Sequence, residues 1–239
     1  MSVEIEFFDL PSKSPCKAWS INTLRTRFIL NYKNIPYKTT WVEYPDIEPT
    51  FKSFGIPANE SGTAYTVPTI KLPDGRYLMD SQRIAQELEK LYPEPSLYLD
   101  DPILQEVLEA FATLSPAIAG VYLPKCARNV QTPRSKEYFE RTRSAKYGMP
   151  LDQLEQETGG DDAFKRAKPG LKMVGEVLRA KGGPFCLGEV VSYADIVILG
   201  ASVMFERIGE GVFEKFVEIE PSIRRLVEAS GNLLDRVDH

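Results

Sequence analysis

Histidine is nearly absent from this 239-residue chain, and the one it has, His239, is the last residue. A Ser-His-Asp triad, a Cys-His pair and a His-ligated zinc all need an imidazole held inside the fold, and a terminal residue is where order is least expected. That chemistry is excluded, and no metal is expected. Cysteine is scarce too. Cys16, Cys126 and Cys186 are odd in number and far apart, which argues against a disulfide framework and fits a reducing compartment. No apolar run approaches the ~20 residues that a bilayer demands, and the opening MSVEIEFFDL carries acids where a secretory leader carries a basic and then an apolar stretch. A cytoplasmic chain that engages no membrane is the expectation. Basic charge is not in excess either: the net charge is -5 with lysines and arginines scattered among the acids, so no stripe awaits a phosphate backbone and no nucleic-acid partner is expected.

What the chain does have is apolar residues, 43% of the total with 10% aromatic, enough for one large core or two ordinary domains in contact. Residues 3 to 8 alternate as a strand does. From Asn22 to Lys33, Leu24, Phe28 and Tyr32 recur four apart on one helical face. Residues 37 to 42 are β-branched and aromatic and predict a second strand, hence a right-handed parallel β-α-β unit. After a polar stretch, PTIKL at 68 to 72 and RYLM at 76 to 79 flank Pro73-Asp74-Gly75, a hairpin turn, and Ile84, Leu88 and Leu91 mark a helix from about Ser81. The order is β-α-β-(loop or short helix)-β-β-α. Residues 93–100, proline-bearing and irregular, predict a linker between a first domain of residues 1–92 and a second of residues 101–239.

Everything beyond the linker reads as helical. Ile103, Val107, Phe111, Ile118 and Tyr122 repeat at helical intervals, with a kink expected at Pro116. Phe164, Leu171, Val174 and Leu178 do the same, and the near-continuous apolar run from Ala194 to Phe205 predicts a helix buried on all sides.

Three local features carry chemistry. Val67-Pro68 opens a strand candidate straight after a loop, where a proline is tolerated and a cis peptide is admissible; an ordinary trans bond is the alternative. Asp80-Ser81 follows the hairpin and opens a helix, so Ser81 reads either as a plain cap or as a cap whose neighbouring N–H groups face a carboxylate. Ser192-Tyr-Ala-Asp195 has the spacing of a capping box at the head of the buried helix, a structural device.

With these three features in place, the chain resembles the glutathione transferases over nearly its whole length: Val67-Pro68 at the family's cis-proline position, Asp80-Ser81 at its γ-glutamyl recognition position and FCLGEVVSYAD at its interior-helix capping motif. The run SPCKAWSINTLRTRFILNYKNIPYKTTWVEYPDIEP, residues 14 to 49, resembles the fungal-specific and bacterial β-etherase-related classes. The resemblance implies an α/β plus all-α fold, a thioredoxin-like N-terminal domain (β-α-β-α-β-β-α) followed by a helical bundle. It implies glutathione as co-substrate, a homodimer, a Val67 backbone paired with the cysteinyl part of glutathione, and Ser81 on the γ-glutamyl carboxylate. Two departures stand out: Asp80 is shorter than the glutamate or glutamine the family prefers, and Ile21 stands where many relatives of that class have proline.

A transferase must hold glutathione as thiolate, although a free thiol has a pKa of ~8.5. Ser20, just before the first helix, offers a hydroxyl beside the positive helix end, and Asn22 could add a side-chain N–H; a plain helix cap is the alternative for Ser20. Cys16, with Lys17 beside it, is the rival nucleophile of a thiol transferase, and it would need a depressed pKa. Trp19, Phe111, Ser115 and Tyr122 are candidates to line the site of a hydrophobic aromatic partner, with Tyr44, Tyr65, Arg128 and Tyr147 as further contributors. The leading function is conjugation, or aryl-ether cleavage, by glutathione thiolate on aromatic electrophiles. A ligandin-type carrier of aromatic metabolites is the non-enzymatic alternative.

Overall fold

The computed structural model describes residues 4–238, the side chain of Asn232 excepted. The first strand, β1 (Ile5–Asp9), lies inside a four-stranded sheet of order β2-β1-β3-β4, with β2 at Tyr37–Trp41, β3 at Thr69–Lys71 and β4 at Tyr77–Met79. β1 runs parallel to β2, pairing Ile5 with Tyr37, and antiparallel to β3, pairing Phe7 with Ile70. Helix α1 (Ile21–Tyr32) makes the crossover between β1 and β2. The polar stretch after β2 contains a 3₁₀ turn at Tyr44–Asp46 and helix α2 (Ile47–Ser53), and α3 (Ser81–Leu91) follows the hairpin. This is the thioredoxin-like order implied by the resemblance.

β1 is apolar on both faces because both faces are covered. Phe8 meets Phe51 of α2 edge-on at 5.4 Å, while Phe7 on the opposite face packs on the Arg27 guanidinium of α1 at 4.9 Å. Arg27 and Asp9 are both fully buried and paired at 2.8 Å, with the Tyr37 hydroxyl accepting a second bond from Arg27 at 3.3 Å. A pair this deep survives because each charge is matched and hydrogen-bonded; removing one partner strands the other.

The irregular residues 92–101 are pinned down. The buried Lys33 ammonium, just past α1, donates to the carbonyls of Tyr92 (2.6 Å) and Pro95 (2.7 Å) and pairs with Glu89 (2.7 Å). Glu89 in turn accepts from Ser96 and from the Leu97 N–H.

The rest of the described chain is mostly helical: α4 (Pro102–Ala117), α5 (Ala119–Lys125), a π-helical turn at Cys126–Val130, α6 (Pro133–Tyr147), α7 (Leu151–Thr158), α8 (Gly160–Ala180), α9 (Tyr193–Ile208), α10 (Val212–Ile219), α11 (Ser222–Ala229) and α12 (Gly231–Leu234). Among the described residues no single helix is long and apolar enough to cross a membrane; α4 and the following segment to Val130 would qualify only as a pair, and they are bent by 75°. The bend falls just after Pro116, where the kink was expected.

α9 is buried from Tyr193 to Phe205, and its N-terminus is built around Asp195. That carboxylate accepts from the backbone N–H of Cys186 (2.7 Å), the backbone N–H of Ser192 (2.8 Å) and the Ser192 hydroxyl (2.6 Å). Gly200 lets α1 come close, since a Cβ there would stand 3.2 Å from the Ile21 carbonyl oxygen and 3.5 Å from Cγ of Arg25.

On the outside of the bundle, Arg128 binds Glu155 (2.6 Å) and Glu210 (3.1 Å), and Lys125 joins them. Arg128, assisted by Asn129 and Lys125, holds the Glu210 carboxyl down to about 2. A carboxyl lowered on folding stabilises the fold above its ordinary pKa of ~4.3, and that stabilisation fades as the pH falls from there towards about 2.

Two outcomes are expected. Asp195→Ala leaves three buried donors without an acceptor and lowers unfolding free energy in urea by roughly 2–4 kcal/mol. The stability lost in Arg128→Met, read as the gap in Tm from wild type, is largest above pH ~5 and narrows as the pH drops below ~4.

Candidate functional site

Eight of the sequence candidates meet at one cleft of about 550 Å³: Ser20 and Asn22 at the head of α1, Val67 and Pro68 on the loop into β3, Asp80 and Ser81 at the head of α3, and Tyr44 and Tyr65. The opposite wall comes from the helical half through Leu108 of α4, Tyr138 and Arg143 of α6, and Tyr193 of α9.

Ser20 occupies the N-cap position of α1 in an extended conformation, but its side chain makes no capping bond. Its hydroxyl is therefore not committed to the helix. The first turn of α1 contains no acidic residue, so the positive end of the helix dipole is left uncancelled next to that hydroxyl. Asn22 is exposed on the cleft side. The Val67-Pro68 bond is cis, and Thr69 braces the turn by donating to the Thr66 carbonyl at 2.7 Å.

The expectation that Ser81 caps α3 is corrected. Asp80 is the cap, its Oδ1 accepting from the N–H groups of Gln82 (2.9 Å) and Arg83 (3.1 Å), and Ser81 is the first helical residue. The physical reason is reach: a short carboxylate one residue before the helix closes back on the second and third amides. Asp80 does this at φ +76°, a conformation that favours glycine. The Ser81 hydroxyl is freed from capping and stands against the phenol of Tyr193.

Other expectations fare differently. Trp19 is buried, with its indole N–H bonded to the Pro11 carbonyl at 3.3 Å, and it faces a separate cavity of about 510 Å³ beside Lys13 and Arg207. Phe111 points into the apolar seam between α4 and α8 with Leu171 and Val174. Ser115 is exposed on the last turn of α4, outside the cleft lining. Tyr122 sits beyond the bend after Pro116, near Cys126 and Arg143, and does not line the cleft; burial pushes its phenol up. Of the four side chains expected for an aromatic partner, none lines the cleft. Tyr44 and Tyr65 do, whereas Tyr147 does not and Arg128 is held in its outer ion-pair cluster.

Cys16 is exposed in the loop before α1 and does not line the cleft; partial desolvation moves its thiol up, away from the depressed value that a nucleophile needs. Burial also raises Cys126, to about 12, and Cys186.

Arg25, Tyr138, Arg143 and Tyr193 were not singled out in the sequence. Arg25 lies one turn past the head of α1 with a buried Nε that has no hydrogen-bond partner, facing Asp80 and Tyr193. Desolvation draws its guanidinium below the usual arginine range. An arginine in an otherwise buried helix, one turn from a candidate serine, is the signal that would have found it. At the other end Tyr44 stacks on Tyr138 at 6.0 Å with the rings 7° apart, and Arg143 lies 5.4 Å from the Tyr44 ring centre. The cleft thus has a polar end at Ser81 and Arg25, a hydroxyl on a helix end near its middle, and an aromatic end.

A sheet of this order, a cis-proline loop and a serine at the head of a helix, backed by an all-helical half, define the class of protein. The sequence-family models described as glutathione S-transferase, N-terminal domain, and glutathione S-transferase, C-terminal domain, match residues 19–91 and 105–219. The chain belongs to the glutathione S-transferase family. It is 36% identical over 218 residues to the glutathione S-transferase-like protein ustS of Aspergillus flavus, covering 82% of this chain and 78% of that one. Among solved structures it is similar to the glutathione S-transferase CsGST63524 of Ceriporiopsis subvermispora in complex with glutathione, at 32% identity and TM-score 0.82, covering 96% of this chain and 97% of that one. It is also similar to the glutathione transferase GSTFuA2 of Phanerochaete chrysosporium, at 28% identity and TM-score 0.87, covering 99% and 100% of the two chains.

Because Asp80 is the helix cap, Asp80→Ala is expected to lower stability by about 1–2 kcal/mol, while Asp80→Asn, an equally good cap that also tolerates positive φ, loses much less. Urea unfolding midpoints of the two variants test this.

Proposed function

We propose that the chain is a serine-type glutathione transferase, in which Ser20 stabilises glutathione as thiolate for attack on a hydrophobic aromatic electrophile. The observation that carries this reading is the convergence of Ser20, Asn22, Val67, Asp80 and Ser81, drawn from three separate stretches of chain, on one cleft. Residues 1–92 are read as the glutathione-binding domain, residues 101–239 as the domain that completes the electrophile's site, and 93–100 as the connection.

In this reading the γ-glutamyl carboxylate lies at the Ser81 hydroxyl with the Arg25 guanidinium behind it, and the ammonium faces Asp80. The Val67 backbone pairs with the cysteinyl unit, which leaves the sulfur at the head of α1. There the Ser20 hydroxyl and the helix end stabilise negative charge on sulfur, and Asn22 supplies a further donor. The thiol proton passes to solvent. The sulfur then forms a bond to an electrophilic carbon, and the leaving group, a halide or the oxygen of an aryl ether, departs with the electrons of the broken bond. Tyr44, Tyr138 and Leu108 supply an apolar, flat-walled place for the aromatic partner.

Glutathione conjugation of 1-chloro-2,4-dinitrobenzene, followed for wild type, Ser20→Ala and Cys16→Ser, tests the proposal. Ser20→Ala is expected to lower kcat/KM by about 100-fold and to move the alkaline rise of the pH profile towards the ~8.5 of a free thiol. Cys16→Ser should retain wild-type rates. Loss of thiol transfer in Cys16→Ser alone would replace this reading with a cysteine mechanism, and tight saturable binding of aromatics without turnover would replace it with a carrier.

A further inference from the structure

Arg143 enters the aromatic end of the cleft and meets no counter-ion among the described residues. Its guanidinium lies 4.3 Å from the ring centre of Phe139 and 5.4 Å from that of Tyr44, and it donates to the Thr142 hydroxyl at 2.9 Å. These contacts hold the planar group in place without neutralising it. Among the described residues it has no ion-pair partner.

The acids around it are committed elsewhere. On the 3₁₀ turn and the residue before it, Asp46 is paired with Arg134, and Glu43 accepts from Thr132 and Ser135. Glu140, on α6 itself, is paired with Lys136, and Glu48, at the rim of the cleft, is paired with Lys52. The titratable groups that face Arg143 from the other elements are Tyr44, Tyr122 of α5 and Cys126 of the π-helical turn, and all three are kept in their neutral form by burial. They do not cancel the positive charge, and Tyr44, which lines the cleft, can donate a hydrogen bond to an anion.

We propose that the electrophile this cleft takes is an aromatic acid, its ring lying along Tyr44 and its carboxylate, or another planar anion, received by the fork of Arg143. This rests on the reading of the cleft as a transferase site. A guanidinium meets a carboxylate through two parallel N–H groups, and aromatic walls exclude the water that would otherwise screen the pair. In the reaction of such a substrate, the thiolate sulfur bonds to the ring carbon bearing the leaving group. That group departs with its bonding pair, and the carboxylate takes no part in the bond changes.

Two chloronitroarenes distinguish the outcomes, 4-chloro-3-nitrobenzoate, which is anionic, and 1-chloro-2,4-dinitrobenzene, which is neutral. For wild type, Arg143→Lys and Arg143→Met, kcat/KM is measured for each and divided by the uncatalysed rate. The ratio of anionic to neutral probe is expected to fall about 10-fold or more in Arg143→Met, mainly through KM, and to recover in part in Arg143→Lys. Equal losses on both probes, or no change in the ratio, would overturn the proposal. If wild type turns over neither probe, the transferase reading fails on its own, and calorimetric titration with 4-nitrobenzoate decides the anion site: weaker binding to Arg143→Met than to wild type supports it, and equal binding overturns it.

Discussion

The buried carboxylate of Asp195 is the interaction on which the cleft depends. Three donors converge on it, tying the bend at Cys186 to the start of α9. A charge at 1% exposure is tolerated because its hydrogen bonds replace those it would make to water. With that end fixed, the Tyr193 N–H reaches the Leu97 carbonyl at 2.8 Å and the Tyr193 phenol comes against Ser81, so the helical half is joined to the head of α3. Two turns along α9, Gly200 admits the backbone of α1 at Ile21, the residue after Ser20. The heads of α1 and α3 are thereby both referenced to one interior helix.

Four cations near the interior show how differently the fold treats positive charge. Arg27 is matched by Asp9, and Lys33 by Glu89 with two carbonyls. These two are structural, since each is satisfied within the protein. Arg25 faces Asp80 and Tyr193 but keeps an unpartnered Nε, and Arg143 rests on aromatic rings with no carboxylate. Both of these line the cleft, one at each end. A guanidinium already balanced by the protein gains little from an arriving anion, and it is the two less balanced ones that the proposed ligands would engage.

Much of the fold was legible because its signals are local. The four-residue recurrence of Leu24, Phe28 and Tyr32, the Pro73-Asp74-Gly75 turn and the Ser192–Asp195 spacing each depend on a few neighbouring residues, and α1, the β3-β4 hairpin and the head of α9 appear where those signals fall. The cleft was legible only in part. Ser20, Val67 and Ser81 stand at element boundaries, where a strand or helix end leaves groups to be satisfied. Trp19, Phe111, Ser115 and Tyr122 were chosen by residue type, and residue type does not say which way a side chain is turned once the chain packs. The packing of α4 on its neighbours took up Phe111, the 75° bend separates Tyr122 from α4, and Trp19, in the loop before α1, bonds back to Pro11.

By itself the sequence determined the succession of strands and helices and much of the turn and cap chemistry between them, since these depend on composition and on contacts a few residues apart. The tertiary structure alone decided that Tyr138, Arg143 and Tyr193 share a cleft with Ser20, and that Arg143 meets no counter-ion among the described residues. Those facts depend on side chains more than a hundred residues apart in the chain being brought together, and on which of several nearby acids each cation reaches first. Such outcomes are set by packing, and no local pattern records them.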